Sequence, residues 1–65
     1  MKFKLGEVVR FNSNISDPEL RGQLCIIIEL YPYNINYQYV IRTTYSHNPG
    51  NHLTGMIKEE WVDHV

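Results

Sequence analysis

The sequence predicts an all-β fold of five short strands closed into a small barrel, with one short helical turn before the last strand. Two observations carry that reading. Strand-length apolar runs recur along the chain, at Val8-Val9-Arg10-Phe11, at Leu24-Cys25-Ile26-Ile27-Ile28, at Tyr39-Val40-Ile41 and around Ile57. Glycine, asparagine and proline clusters separate them, where the chain has to reverse.

The first strand is expected over Glu7–Phe11, with Val9 and Phe11 on one face and Val8 and Arg10 on the other. Gly6, just ahead of it, permits a tight approach or an unusual backbone angle. Residues Asn12–Arg21 form a polar loop, with Ile15 and Leu20 tucked back as anchors. Within it, Asp17-Pro18-Glu19-Leu20 suits a single helical turn, Asp17 capping and Pro18 at the first position.

Gln23–Leu30 is the clearest strand. Strict alternation puts Leu24, Ile26, Ile28 and Leu30 on one face and Cys25, Ile27 and Glu29 on the other. Both faces are largely apolar, which marks a central strand, and the β-branched run at 26–28 favours strand over helix. Tyr31–Asn36 turns the chain, because Pro32 cannot continue a ladder and asparagine tolerates tight geometry. Tyr37–Tyr45 is then the partner strand of a long hairpin, with Tyr39 and Ile41 inward. Ser46–Asn51 is a second turn, His52–Ile57 a fourth strand interrupted by Gly55, Lys58-Glu59-Glu60 a helical turn, and Trp61–Val65 a last strand.

With 65 residues there is room for one domain, spanning 1–65. A hydrophobic fraction of 43% argues against disorder. The lone Cys25 cannot form an intramolecular disulfide and reads as a small core hydrophobe, which fits a reducing, cytoplasmic setting. The start at Met1 is that expected of a whole small gene product. The segment 1–6 is too polar for a signal peptide, and no apolar run reaches membrane-spanning length, so no membrane partner is expected.

Formal net charge is -1, with acids and bases mixed and no basic block. That weakens the case for nonspecific nucleic-acid binding, which draws on lysine and arginine against phosphate. His47, His52 and His64 lack the spacing of a zinc set, and no metal or other cofactor is expected. Glu59, Glu60 and Asp63 read as a solvated acidic face, since a barrel this small fills its interior with side chains and offers no pocket to raise a carboxyl pKa. No Ser-His-Asp set, P-loop or dinucleotide fingerprint is present, so the expectation is a non-enzyme.

Aromatic residues are 12% of the chain, and the five tyrosines outnumber the other aromatics. Tyr31, Tyr33 and Tyr37 bracket one turn and Tyr45 ends the same hairpin. Each ring could cover a small core. Each could also serve recognition, because tyrosine joins a large apolar ring to a polar tip at low entropy cost. Trp61 reads either as a core plug or as an anchor beside them.

Gly6-Glu7-x-Val9, Gly22-x-Leu24, Tyr39-Val40-Ile41-Arg42 and Ile57-x-Glu59-x-x-Val62 together resemble the SH3-like barrels in their broad KOW and Tudor-like sense, over nearly the whole chain. The Ala-Leu-Tyr-Asp-Tyr motif of peptide-binding SH3 domains is absent, and the basic content is low for a KOW module. The resemblance implies a binding module and leaves the partner open, since this fold hosts unrelated functions. The expected activity is that of a protein-binding module acting through Tyr31, Tyr33, Tyr37, Tyr45 and Trp61, with the loop Asn12–Arg21 as a second arm. Its size and its Asn- and Ile-rich composition suit a phage or mobile-element protein that docks on and modulates a larger bacterial one. The alternative is a nucleic-acid module stacking bases on the tyrosines, with Arg10, Arg21, Arg42 and the N-terminal lysines at the backbone. A homodimer through a weakly charged strand carrying Gln38, Val40 and Thr44 is also open to this sequence.

Overall fold

In a computed structural model that describes residues 1–44 and 53–65, the chain forms five antiparallel strands in one sheet. They are β1 (Val8–Phe11), β2 (Leu24–Leu30), β3 (Tyr39–Thr43), β4 (Thr54–Ile57) and β5 (Val62–His64), with a 3-10 turn at Glu59–Trp61. The sheet order is β4-β3-β2-β1-β5, so the last strand lies beside the first. No pairing among the described residues joins β4 to β5. The expected turn Ser46–Asn51 and the first residue of the expected fourth strand, His52, lie outside the described residues, as does Tyr45.

Alternation sets the buried face. Val9 and Phe11 of β1, Cys25 and Ile27 of β2, Tyr39 and Ile41 of β3, Ile57 of β4 and Val62 of β5 form one core with Phe3 and Ile15. Registers agree, since Val9 faces Cys25, Ile27 faces Ile41 and Tyr39 faces Ile57 across the ladders. Burial pushes the Cys25 thiol up to about 12, which holds it protonated and inert at neutral pH.

Two readings from the sequence change. Strict alternation put Glu29 on the face of Cys25 and Ile27, and Leu30 on the opposite one. A β-bulge between Ile27 and Glu29 inserts Ile28 as an extra residue, so Glu29 pairs with Val40 and Leu30 with the buried Tyr39. Leu30 thereby packs on the core and Glu29 reaches solvent. The strand of Gln38, Val40 and Thr44 is no edge either. Paired by β2 on one side and β4 on the other, β3 is interior, and the open edges are β4 and β5.

Two glycines are required by backbone angle. Gly6 and Gly22 have φ of 83° and 82°, the only positive values among the described residues. Gly6 N–H donates to the Ile27 carbonyl at 2.8 Å, and Gly22 N–H to that of Phe11 at 2.8 Å. Each therefore closes a turn onto the ladder that follows. The Asp17–Leu20 segment makes hydrogen-bonded turns and no helix: Asp17 Oδ1 accepts from Glu19 N–H at 3.0 Å, as a cap would.

Candidate functional site

Three short connections meet at one end of the fold: residues 31–38 between β2 and β3, the 3-10 turn, and the N-terminal segment. Each is held by specific polar contacts. In the first, Tyr31 N–H donates to the Gln38 carbonyl at 2.8 Å and closes the loop. Inside it, Asn34 Oδ1 accepts from the backbone N–H of Asn36 at 2.8 Å and of Tyr37 at 2.9 Å. This is an Asx-type turn, in which the carboxamide replaces a backbone acceptor. The Gln38 side chain then ties the loop to its neighbour. Its Nε2 donates to the Asn34 carbonyl at 3.0 Å and its Oε1 accepts from Glu59 N–H at 3.0 Å.

The 3-10 turn is anchored from two sides. Asn12 and Asn14, from the long loop, both donate side-chain N–H to the Glu60 carbonyl at 2.9 Å. Beneath the turn, the buried Tyr39 hydroxyl donates to Glu59 Oε2 at 2.5 Å and accepts from Phe3 N–H at 3.1 Å. Burial pushes the Tyr39 phenol above its ordinary range, and the Glu59 carboxylate adds to that. One hydroxyl thus joins β3, the 3-10 turn and the N-terminal segment. Glu59, read from the sequence as part of a solvated acidic face, is here a structural acceptor.

On this pinned frame, large apolar side chains stand in water. Tyr33 is 96% exposed and Ile35 91%. Tyr31 is partly exposed and its hydroxyl donates to Glu29 Oε2 at 2.5 Å; that bond, with the carboxylate charge, pushes the phenol up. Tyr37 sets its ring against the edge of Trp61, centroids 6.0 Å apart. Trp61 is neither a full plug nor a free anchor. It packs partly on the core and lines an apolar cleft of about 350 Å³ with Phe11, Ile15, Leu20 and Met56. Of the five residues singled out from the sequence, Tyr31, Tyr33 and Tyr37 share the 31–38 loop, Trp61 touches Tyr37, and Tyr45 lies outside the described residues.

Sequence reasoning missed Ile35, Gln38 and Phe3. The Asn34-x-Asn36 spacing was a legible turn signal. A glutamine tying two loops together has no local signature, and Phe3 hid in a segment that reads as polar.

Among the described residues no group of three or more His, Cys, Asp or Glu side chains could hold a metal ion, and no helix is long and apolar enough to cross a membrane. His47 and His52 are outside the described residues. His64 pairs with Glu7, Nδ1 to Oε2 at 2.8 Å, and lays its ring on Phe3 at 4.6 Å. No family model, characterised protein or solved structure matches the chain, so its function is read from its own residues.

Proposed function

We propose that this chain is a small SH3-like barrel that works without catalysis, docking on a larger bacterial protein through the 31–38 loop. The observation that carries the reading is the pairing of two large, fully solvated apolar side chains, Tyr33 and Ile35, with a backbone already locked by Asn34 and Gln38. A loop ordered before binding loses little entropy on docking, and an apolar side chain left in water gains on burial, about 25 cal/mol per Å² of apolar surface. Tyr37, braced by Trp61, and Tyr31 flank them as amphipathic contact area.

Barrel closure is supported by the link between the sheet's two edges. β4 and β5 are joined by residues 58–61 alone, three of them in a 3-10 turn that rises about 2 Å per residue. A flat five-stranded sheet would hold those edges about 19 Å apart, at about 4.8 Å per strand spacing. Ile57 and Val62, from opposite edges, share one core, which favours a sheet curled on itself.

Nucleic-acid binding is the weaker reading. The Arg10 guanidinium donates to the Gly22 carbonyl at 3.2 Å and Arg21 Nε to that of Ile15 at 3.0 Å, so two of the expected phosphate contacts already hold the long loop. The test is co-purification from bacterial lysate with wild type, Tyr33→Ala and Ile35→Ala. A protein held by wild type and lost from both variants is the expected result. Retention of every wild-type partner by both variants, or a strongly salt-dependent gel shift with single-stranded DNA or RNA, overturns it.

A further inference from the structure

Edge strands are ordinarily guarded against pairing by charge, proline, a bulge or extreme shortness. Of the two open edges here, β5 spans three residues and carries Asp63. β4 reads Thr54-Gly55-Met56-Ile57, with no charge and no proline, and its register on β3 runs without a bulge. Thr54, Gly55 and Met56 are all exposed, so this edge stands in water. Two large apolar side chains stand there with it, Leu53 at 63% and Met56 at 44% exposure. Leu53, Gly55, Met56 and Ile57 also line the apolar cleft of about 350 Å³ that holds Trp61.

The hydrogen-bond phase of β4 defines what fits it. Thr43 N–H donates to the Leu53 carbonyl at 2.9 Å, and the same ladder sets Ile41 opposite Gly55 and Tyr39 opposite Ile57. Residues 53, 55 and 57 therefore turn their backbone groups toward β3, and Thr54 and Met56 turn theirs outward. We infer that this edge pairs with β4 of a second copy, as a two-fold antiparallel dimer centred on Gly55. In that register Thr54 lies opposite the second copy's Met56, and Met56 opposite its Thr54. Four hydrogen bonds then take up every outward N–H and C=O of both residues in both strands. Gly55 meets its own copy in the closer, non-hydrogen-bonded pair, where the absent side chain leaves room. On the face of the buried Ile57, alternation brings Leu53 of each copy opposite Ile57 of the other, beside the cleft. A foreign strand fits the same backbone groups. A second copy also supplies Leu53 to Ile57 twice by symmetry, with nothing charged in the paired stretch 53–57. A net charge of -1 adds little repulsion between copies. The dimer uses other residues than the 31–38 loop and does not depend on docking there.

Sedimentation velocity of the whole chain from roughly 10 μM to 1 mM, the range of a small interface, is expected to show a reversible monomer–dimer equilibrium. Met56→Pro deletes an outward donor and no bond to β3. Each dimer thereby loses two of its four hydrogen bonds, and the dissociation constant should rise roughly thirtyfold. Gly55→Lys is accommodated in the monomer, since nothing lies within 4 Å of a Cβ placed there. It sets two ammonium groups opposite each other at the two-fold axis and should also weaken the dimer. Val65→Lys, exposed at the other edge, should leave the dimer intact. Amide exchange reads the same contact in the unaltered chain: Thr54 and Met56 should gain protection as concentration rises. Monomers throughout, with or without a foreign strand on β4, overturn the inference. So do unchanged exchange at both amides, a dimer that survives Gly55→Lys and Met56→Pro, or equal loss in Val65→Lys.

Discussion

Tyr39 shows how much one atom can settle. Its ring is core, edge-on to Phe3 at 5.6 Å, and its hydroxyl serves both a backbone N–H and a carboxylate. Tyr39→Phe keeps the ring and orphans the Phe3 N–H, so it should lower unfolding free energy by about 1–3 kcal/mol in urea titrations. The fold holds the neutral phenol, whose pKa lies above the ordinary 10.0. The sign follows: the contribution is complete below pH 10.0 and is lost as pH rises through the raised folded value, and Tyr39→Phe should flatten that alkaline decline. Gly22 poses a purely conformational question. Nothing lies within 4 Å of a Cβ placed there, yet φ is 82°. Gly22→Ala should therefore cost about 1–2 kcal/mol with no repacking, and Gly22→Asn less, read as the shift in urea midpoint.

The element that matters most for function is the 31–38 loop. Its order comes from the Asn34 carboxamide and the Gln38 bridge, while its apolar side chains contribute nothing to the core. Stability and recognition should therefore separate. Asn34→Ala should cost about 1 kcal/mol or less in global stability, since it removes two exposed hydrogen bonds. Amide exchange at Asn36 and Tyr37 should accelerate, and partner capture should weaken although no contact side chain has changed. The turn itself was legible, because Pro32, Asn34 and Asn36 can do little else between two strands. Its two exposed apolar tips were only half legible. The tyrosine excess pointed to Tyr33, but Ile35 looked like any aliphatic residue near a strand end. The bulge at Ile28 was illegible, because a single inserted residue leaves an apolar run looking continuous.

Across the whole molecule, the chain ends meet. β5 pairs with β1, and the Glu7–His64 pair together with the His64 ring on Phe3 ties residues from the first and last turns of the chain. A backbone hydrogen bond from Lys4, with help from His64, holds the Glu7 carboxyl below its ordinary 4.5. A lowered value stabilises the fold fully above pH 4.5 and is lost as pH falls through the folded value. Thermal melts should thus decline on acidification from there, with a smaller slope in Glu7→Gln. The sequence by itself determined the strand content, the pairing of Val9 with Phe11 and of Cys25 with Ile27 on shared faces, the inward placing of Cys25, Tyr39 and Ile41, and the turns on either side of β2. Those depend on period-two alternation and on residues with restricted backbone angles, which are properties of neighbours in the chain. Only the tertiary structure decided that β3 is interior, that Glu59 is committed to Tyr39, and that Phe3 is core. Each of those joins residues distant in sequence, and pairing across such distances is chosen by the packing of the whole sheet, which no local pattern records.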